Sequence, residues 1–211
     1  MSDAVLGRRE QNKLEKRGRI IASARALFTH KGFEATTSQE IAEAAGVAAG
    51  TVFTYAKSKD DLLILVFHNE MLKVVEKAAA AASRQSGLVD QAIAFFETMV
   101  VYHERDLPLA RALMRQLGYV SSAEQRSMVD DLMKVVYRHL AQLVETAVDK
   151  GEVMRGISLL PCARSLFAIY YLHLGSMLSG YFGRTQFDRV LRTDLSLLLS
   201  GLQTDARRAK L

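Results

Sequence analysis

The stretch TTSQEIAEAAGVAAGTVFTYAKSKDDLL, Thr36–Leu63, decides the fold. Thr37 with Glu40 three residues on is a capping-box pattern, so a helix should start there. Ile41, Ala42 and Ala45 supply its buried face, and Gly46 stops it after barely two turns. Val47 can pack inward at the turn, and a third short helix follows over about residues 48–54. Ser58 then caps a fourth helix, with Asp60 and Asp61 in the first turn, where carboxylates favour the helix dipole. Two short helices joined by a glycine-containing turn make a helix-turn-helix, which lays its second helix in the major groove of DNA. The competing reading is an ordinary helical hairpin in a bundle. A packing helix of so few residues would bury little area, so a ligand on its outer face makes better sense of it.

The flanks extend this picture. Ile20, Ile21, Ala24, Leu27 and Phe28 fall at helical spacing, predicting a helix over 17–30 that ends at a left-handed Gly32. Residues 1–16 read as a basic, flexible arm or a frayed helix. The segment Arg8–Lys31 carries eight basic residues against Glu10 and Glu15, a net +6 that exceeds the +5 of all 211 residues. Such asymmetry points to a polyanion near the N-terminus, or to a solvated tail.

The remainder is helical in composition, with two prolines and no hairpin dipeptide between alternating strands. Helices are expected over about 88–104, 107–118, 122–150, 160–182 and 185–203, giving an all-α fold of about nine helices. The single cysteine, Cys162, excludes an intramolecular disulfide and agrees with a reducing cytoplasm. Residues 165–183 hold no Asp, Glu, Lys or Arg, but three serines, three glycines, three tyrosines and His173 argue for burial in protein rather than a membrane span. No phosphate-binding glycine loop, nucleophile elbow or zinc-protease motif is present, and the five histidines are scattered, so no enzyme, metal site or cofactor is expected.

The ordered residues Gly32-Phe33, Thr36-Thr37, Ile41-Ala42, Ala45-Gly46-Val47, Gly50-Thr51-Val52-Phe53, Tyr55, Ser58-Lys59 and Leu62-Leu63 resemble the DNA-binding domain of the tetracycline-repressor-like (TetR/AcrR) regulators. The resemblance covers about residues 18–63. It implies that Thr37 offers its hydroxyl and amide to a phosphate, that Ala49, Gly50 and Thr51 face base edges, and that Lys59 pairs with a phosphate. Phe53 stands where tyrosine is frequent, Thr54 and Tyr55 face the backbone or groove wall, and Ala48 stands where a serine cap is common. Independently, Gly50 and the flanking alanines allow close backbone approach, and Thr51 can meet a thymine methyl. Ser38 and Gln39 can add a contact. Helix 3 lacks Arg, Asn and Gln, so affinity leans on phosphates and DNA shape, and the arm over 8–19 fits by lying along the DNA or in an adjacent minor groove.

One such unit reads a half-site, so a homodimer on a double-stranded operator is expected. The last two helices suit a two-fold four-helix interface, with Leu178 on one and Phe187, Leu191, Leu195, Leu198 and Leu202 along the other. An intrachain core is the alternative reading of that stripe. In the family, the intervening helices enclose a small-molecule pocket. Here Phe96, Met99, Met114 and Met177 could line one for an apolar or aromatic ligand, with His103, Tyr137, Tyr170 and His173 as further members. The expected organisation is an arm over 1–16, a DNA-binding head over 17–63 continuing into helix 4, and a ligand-binding and dimerisation domain over 64–211. The implied function is a cytoplasmic, ligand-responsive transcriptional regulator, most simply a repressor released by an inducer. A non-specific architectural DNA binder and a helical protein-interaction module are the alternatives.

Overall fold

A computed structural model describes residues 7–118 and 122–202. Those residues form nine α-helices and no strand: α1 Arg8–Lys31, α2 Ser38–Ala45, α3 Ala49–Val52, α4 Lys59–Ala82, α5 Leu88–Glu104, α6 Leu107–Leu117, α7 Ala123–Asp149, α8 Leu159–Leu178 and α9 Arg184–Ser200. None of these helices is long and apolar enough to cross a membrane.

The chain divides into two compact units. One comprises Met1–Asn69 with Ala112–Met128, the other Glu70–Arg111 with Val129–Leu211. This differs from a boundary at residue 63. The end of α6 and the start of α7 group with the head, and polar residues at the start of α7 bond to it. Gln125, buried at the start of α7, donates through Nε2 to Oδ1 of the buried Asp61 at 2.6 Å. Oδ2 of Asp61 accepts from the Lys57 amide at 2.9 Å, and the Asp61 amide donates to Ser58 Oγ at 3.0 Å. One carboxylate thus ties the start of α7 to the capped start of α4, whose dipole also favours it.

In the first unit α1 packs on α2 and α2 on α3. Ile20, Ile21, Ala24 and Phe28 of α1 are buried with Ile41, Ala42 and Ala45 of α2 and Val52 of α3. Phe33 meets Phe28 edge-on, with ring centroids 5.2 Å apart. The helix that contains 17–30 begins at Arg8, so residues 8–16 are ordered helix rather than a flexible arm; residues 1–6 lie outside the described ones. Gly32 has φ 88° and ψ 153°, a glycine-favouring conformation but not the left-handed helical cap expected.

In the second unit α8 packs on α9, and α5 packs on both. Phe95, Phe96, Met99 and Val100 of α5 are buried with Leu166, Tyr170 and Leu174 of α8 and Phe187, Leu191, Leu195 and Leu199 of α9. Arg184 at the start of α9 pairs with Glu97 and Glu104 of α5, the latter at 2.7 Å, and with Asp188 at 2.9 Å. The α8 helix ends at Leu178, short of the expected residue 182. Gly180, at φ 82°, turns the chain so that the Tyr181 amide bonds to Ser176 O and the Gly180 amide to Met177 O, both at 3.0 Å.

This packing corrects the interface expectation. Leu178, Phe187, Leu191 and Leu195 are all buried within a single chain, and Leu198 and Leu202 are half-buried. The α9 stripe is intrachain core. A helical period reveals that a face is buried but not which chain buries it.

Candidate nucleic-acid interface

The capping box at Thr37 sets the start of α2. Thr37 Oγ1 accepts the Glu40 amide at 3.2 Å, and Glu40 Oε2 accepts the Thr37 amide at 2.9 Å. The Thr37 hydroxyl also donates to that oxygen at 3.0 Å. The Lys31 ammonium hydrogen-bonds the same carboxylate and, with the Thr37 donors, holds the Glu40 pKa down to about 2. The amide and hydroxyl expected to meet a phosphate are therefore both engaged by Glu40 in the free chain.

Gly46 ends α2 at φ 62° and ψ 42°, in the left-handed region. The Val47 amide bonds to Ala42 O at 3.0 Å and the Gly46 amide to Glu43 O at 3.1 Å, a complete Schellman motif. This reversal directs α3. Val47 is half-buried rather than a fully inserted plug. Ala48 precedes α3 with no side-chain cap bond, and α3 proper is a single turn, Ala49–Val52. Shorter-range bonds carry it on: the Thr54 amide to Thr51 O at 3.2 Å and the Tyr55 amide to Val52 O at 2.9 Å.

That short helix buries Val52 and turns its other residues outward. Ala48, Gly50 and Thr54 are exposed, Ala49 and Thr51 are half-exposed, and Phe53 is 51% exposed. Ser38 is half-exposed at the start of α2. The Thr54 hydroxyl folds back on Thr51 O. Lys59 donates to Glu34 O at 2.9 Å with its ammonium 4.6 Å from the centre of the Phe33 ring, so it is held at the rim with donors to spare.

Tyr55 departs from the simple expectation. Its hydroxyl donates to Lys13 O, one turn and a half into α1, at 3.1 Å. Between the two helices lies an open groove of about 680 Å³ lined by Arg9, Asn12, Lys13 and Lys16 of α1, with Glu10, Thr51 and Tyr55. The excess of basic residues over Arg8–Lys31 points to this segment but does not say which of its side chains share a face. Arg9, Asn12, Lys13 and Lys16 sit at i, i+3, i+4 and i+7, a one-face helical spacing that the sequence does carry.

The residues expected to bind a ligand come together only in part. Phe96 stacks on Tyr170 at 4.7 Å, Tyr170 lies 5.8 Å from Phe167, and Phe167 meets Tyr137 edge-on at 5.8 Å. Met99, His103 and Met177 are buried in the same unit, whereas Met114 belongs to the first. Burial lowers the His103 pKa to about 4. His173 points elsewhere: its Nε2 lies 2.8 Å from Asp194 Oδ2, joining α8 to α9. No group of three or more His, Cys, Asp or Glu suited to a metal occurs among the described residues.

The family model for bacterial regulatory proteins of the tetR family matches residues 20–66. The probable HTH-type transcriptional regulator YttP of Bacillus subtilis is 31% identical over 152 residues, spanning 71% of this chain and 70% of that protein. This chain belongs to the tetR family. It is a DNA-binding transcriptional regulator, as its relatives are. The fatty acid metabolism regulator protein of Bacillus subtilis is 23% identical over 157 residues, covering 74% of this chain and 80% of the relative. Among solved structures, Thermus thermophilus FadR, a TetR family transcriptional repressor in complex with lauroyl-CoA, has the same fold. Its TM-score is 0.74 at 24% identity over 89% of this chain and 95% of that one.

Proposed function

We propose that this protein is a repressor that occupies a near-palindromic operator as a homodimer and leaves it when an apolar small molecule binds the second unit. The observation that carries the reading is the outward face of α3. Gly50, Thr51 and Thr54 present little bulk, Phe53 adds an exposed ring, and none carries a fixed charge, while cations lie on α1 beside them. Such a face docks against base edges and thymine methyls, with phosphates supplying affinity.

The two-fold contact belongs to the uncovered sides of α8 and α9. Ala168, Leu172 and Gly175 follow one helical stripe, and Val190, Thr193 and Leu197 another; Leu172 is 65% and Leu197 73% exposed. These stripes carry no charge and leave close approach open, as a helix-on-helix interface needs. For the effector, Tyr170 gives a concrete anchor. Its hydroxyl is buried among Phe96, Phe167 and Phe187 without a hydrogen-bond partner among the described residues, and a ligand carbonyl would satisfy it. An acyl thioester combines that carbonyl with an apolar chain, and the likeness to FadR makes it the first class to test.

The experiment is selection of genomic fragments by the purified protein, then titration of enriched and random duplexes with and without lauroyl-CoA. One enriched palindrome, bound ~10³-fold or more tighter than random DNA and released by the thioester, supports the whole reading. Uniform recovery would replace it with architectural binding. Specific binding that ignores acyl-CoA chains of every length would retain the regulator and remove the effector class.

A further inference from the structure

We propose that residues 8–16 of α1 are a rigid phosphate clamp, which seats the sugar-phosphate backbone beside the groove entered by α3. The inference rests on the DNA-binding reading and assigns a second, structurally distinct contact to it. Within α1, burial begins at Ile20, and Arg8–Lys16 are exposed throughout. A helical segment with no apolar face gains little from packing, so its stability does not account for its charge. Tyr55 ties it instead to the end of α3 through the 3.1 Å bond to Lys13 O. The result is a groove in which Arg9, Lys13 and Lys16 face the same space as Thr51, with Glu10 as the one acid among its lining residues. No ion pair engages Arg9, Lys13 or Lys16 among the described residues.

Geometry selects the occupant. A helix with side chains is about 10–12 Å across and the minor groove about 6 Å wide, so this segment cannot enter the minor groove as an extended arm can. With α3 in the major groove, a helix fastened to its end must lie against the adjoining backbone. Arg9 to Lys16 spans about 10 Å of helix axis, enough to address more than one phosphate of a strand. The contact is positional. It sets the angle of α3 and adds affinity, and it reads no bases.

The test uses the full-length protein, its selected operator and a random duplex, with affinity measured against salt. In the variant R9Q/K13Q/K16Q the log–log salt slope should become shallower by about 0.9 for each phosphate left without its cation, up to ~2.7 per subunit and ~5.4 for the dimer. Over a fourfold rise in salt, the wild-type dimer would then lose up to ~2,000-fold more affinity than the variant. Operator and random DNA should weaken together. The swap R9K/K13R/K16R should keep the wild-type slope, as should neutralisation of three exposed cations of the second unit, K77Q/K150Q/R155Q. An unchanged slope in the first variant, with helicity retained by circular dichroism, overturns the clamp. So does an equal change in the second-unit control, which would mean net charge alone. Failure of the regulator reading looks different: the wild type itself would enrich no sequence.

Discussion

Replacing Gln125 by Ala should uncouple the start of α7 from the head. The side chain is buried, and its amide gives the Asp61 carboxylate a 2.6 Å hydrogen bond in a site shielded from water. A bond to a charged group contributes about 1.5–3 kcal/mol, and removing it leaves one carboxylate oxygen buried and unsolvated. Asp61 keeps its bond from the Lys57 amide at 2.9 Å, so the cap of α4 survives and the destabilisation stays within that range. For a chain of this length, each kcal/mol moves the unfolding midpoint by roughly 2–4 °C, so a drop of about 3–12 °C is expected at fixed protein concentration. Gln125→Glu provides the sharper contrast. It places a second carboxylate against Asp61, should destabilise more than Ala at pH 7, and should recover on acidification as one of the pair takes up a proton. Urea melts at pH 7 and pH 5 read both effects. A Gln125→Ala protein within about 0.5 kcal/mol of wild type, or a Glu variant insensitive to pH, would refute the idea that this buried bond fastens the start of α7.

Thr51→Val should lower operator affinity and alter base preference at its position, leaving random-duplex binding and the dimer intact; competition titration with single-base operator variants reads it. Gly46→Ala should destabilise by about 1–2 kcal/mol in chemical melts, because Gly46 holds φ 62°, where a Cβ is strained against its own backbone. Leu172→Asp with Leu197→Asp should yield folded monomers in sedimentation, since both side chains are exposed in one chain, and operator binding should fall with dimerisation. His103 titrates at about 4 when folded because burial opposes its charge, against about 6.5 unfolded. Its contribution, at most about 3 kcal/mol, is therefore present above pH 6.5 and lost as pH falls toward 4; stability curves for His103→Leu should lack that part of the acid loss.

The local signals in this chain read well. The pair Thr37 and Glu40 caps α2 as the spacing requires, Gly46 adopts the left-handed turn, and Ser58 caps α4 with Asp61. Each of these depends on residues within a few positions of one another, where backbone geometry leaves few choices. The α5 helix also spans the expected residues, Leu88–Glu104. The family resemblance likewise rested on local order, and the match over residues 20–66 falls where those motifs lie.

The expectations for the α9 stripe and for His173 needed to know what lies opposite a face, and a local signal does not carry that. The stripe Phe187, Leu191 and Leu195 is apolar because α5 and α8 cover it within the chain, while exposed Leu197 sits on the other side of the same helix. His173 is claimed by Asp194, 21 residues on. The helices, their caps and the helix-turn-helix are readable along the chain, since they follow from short-range hydrogen bonding and periodicity. Long-range packing sets that α1 runs on to Arg8 against Tyr55, that Asp61 meets Gln125, and which leucines remain uncovered. Those are pairings across up to 64 residues, and neither propensity nor period carries information about which distant side chain will fill a given space.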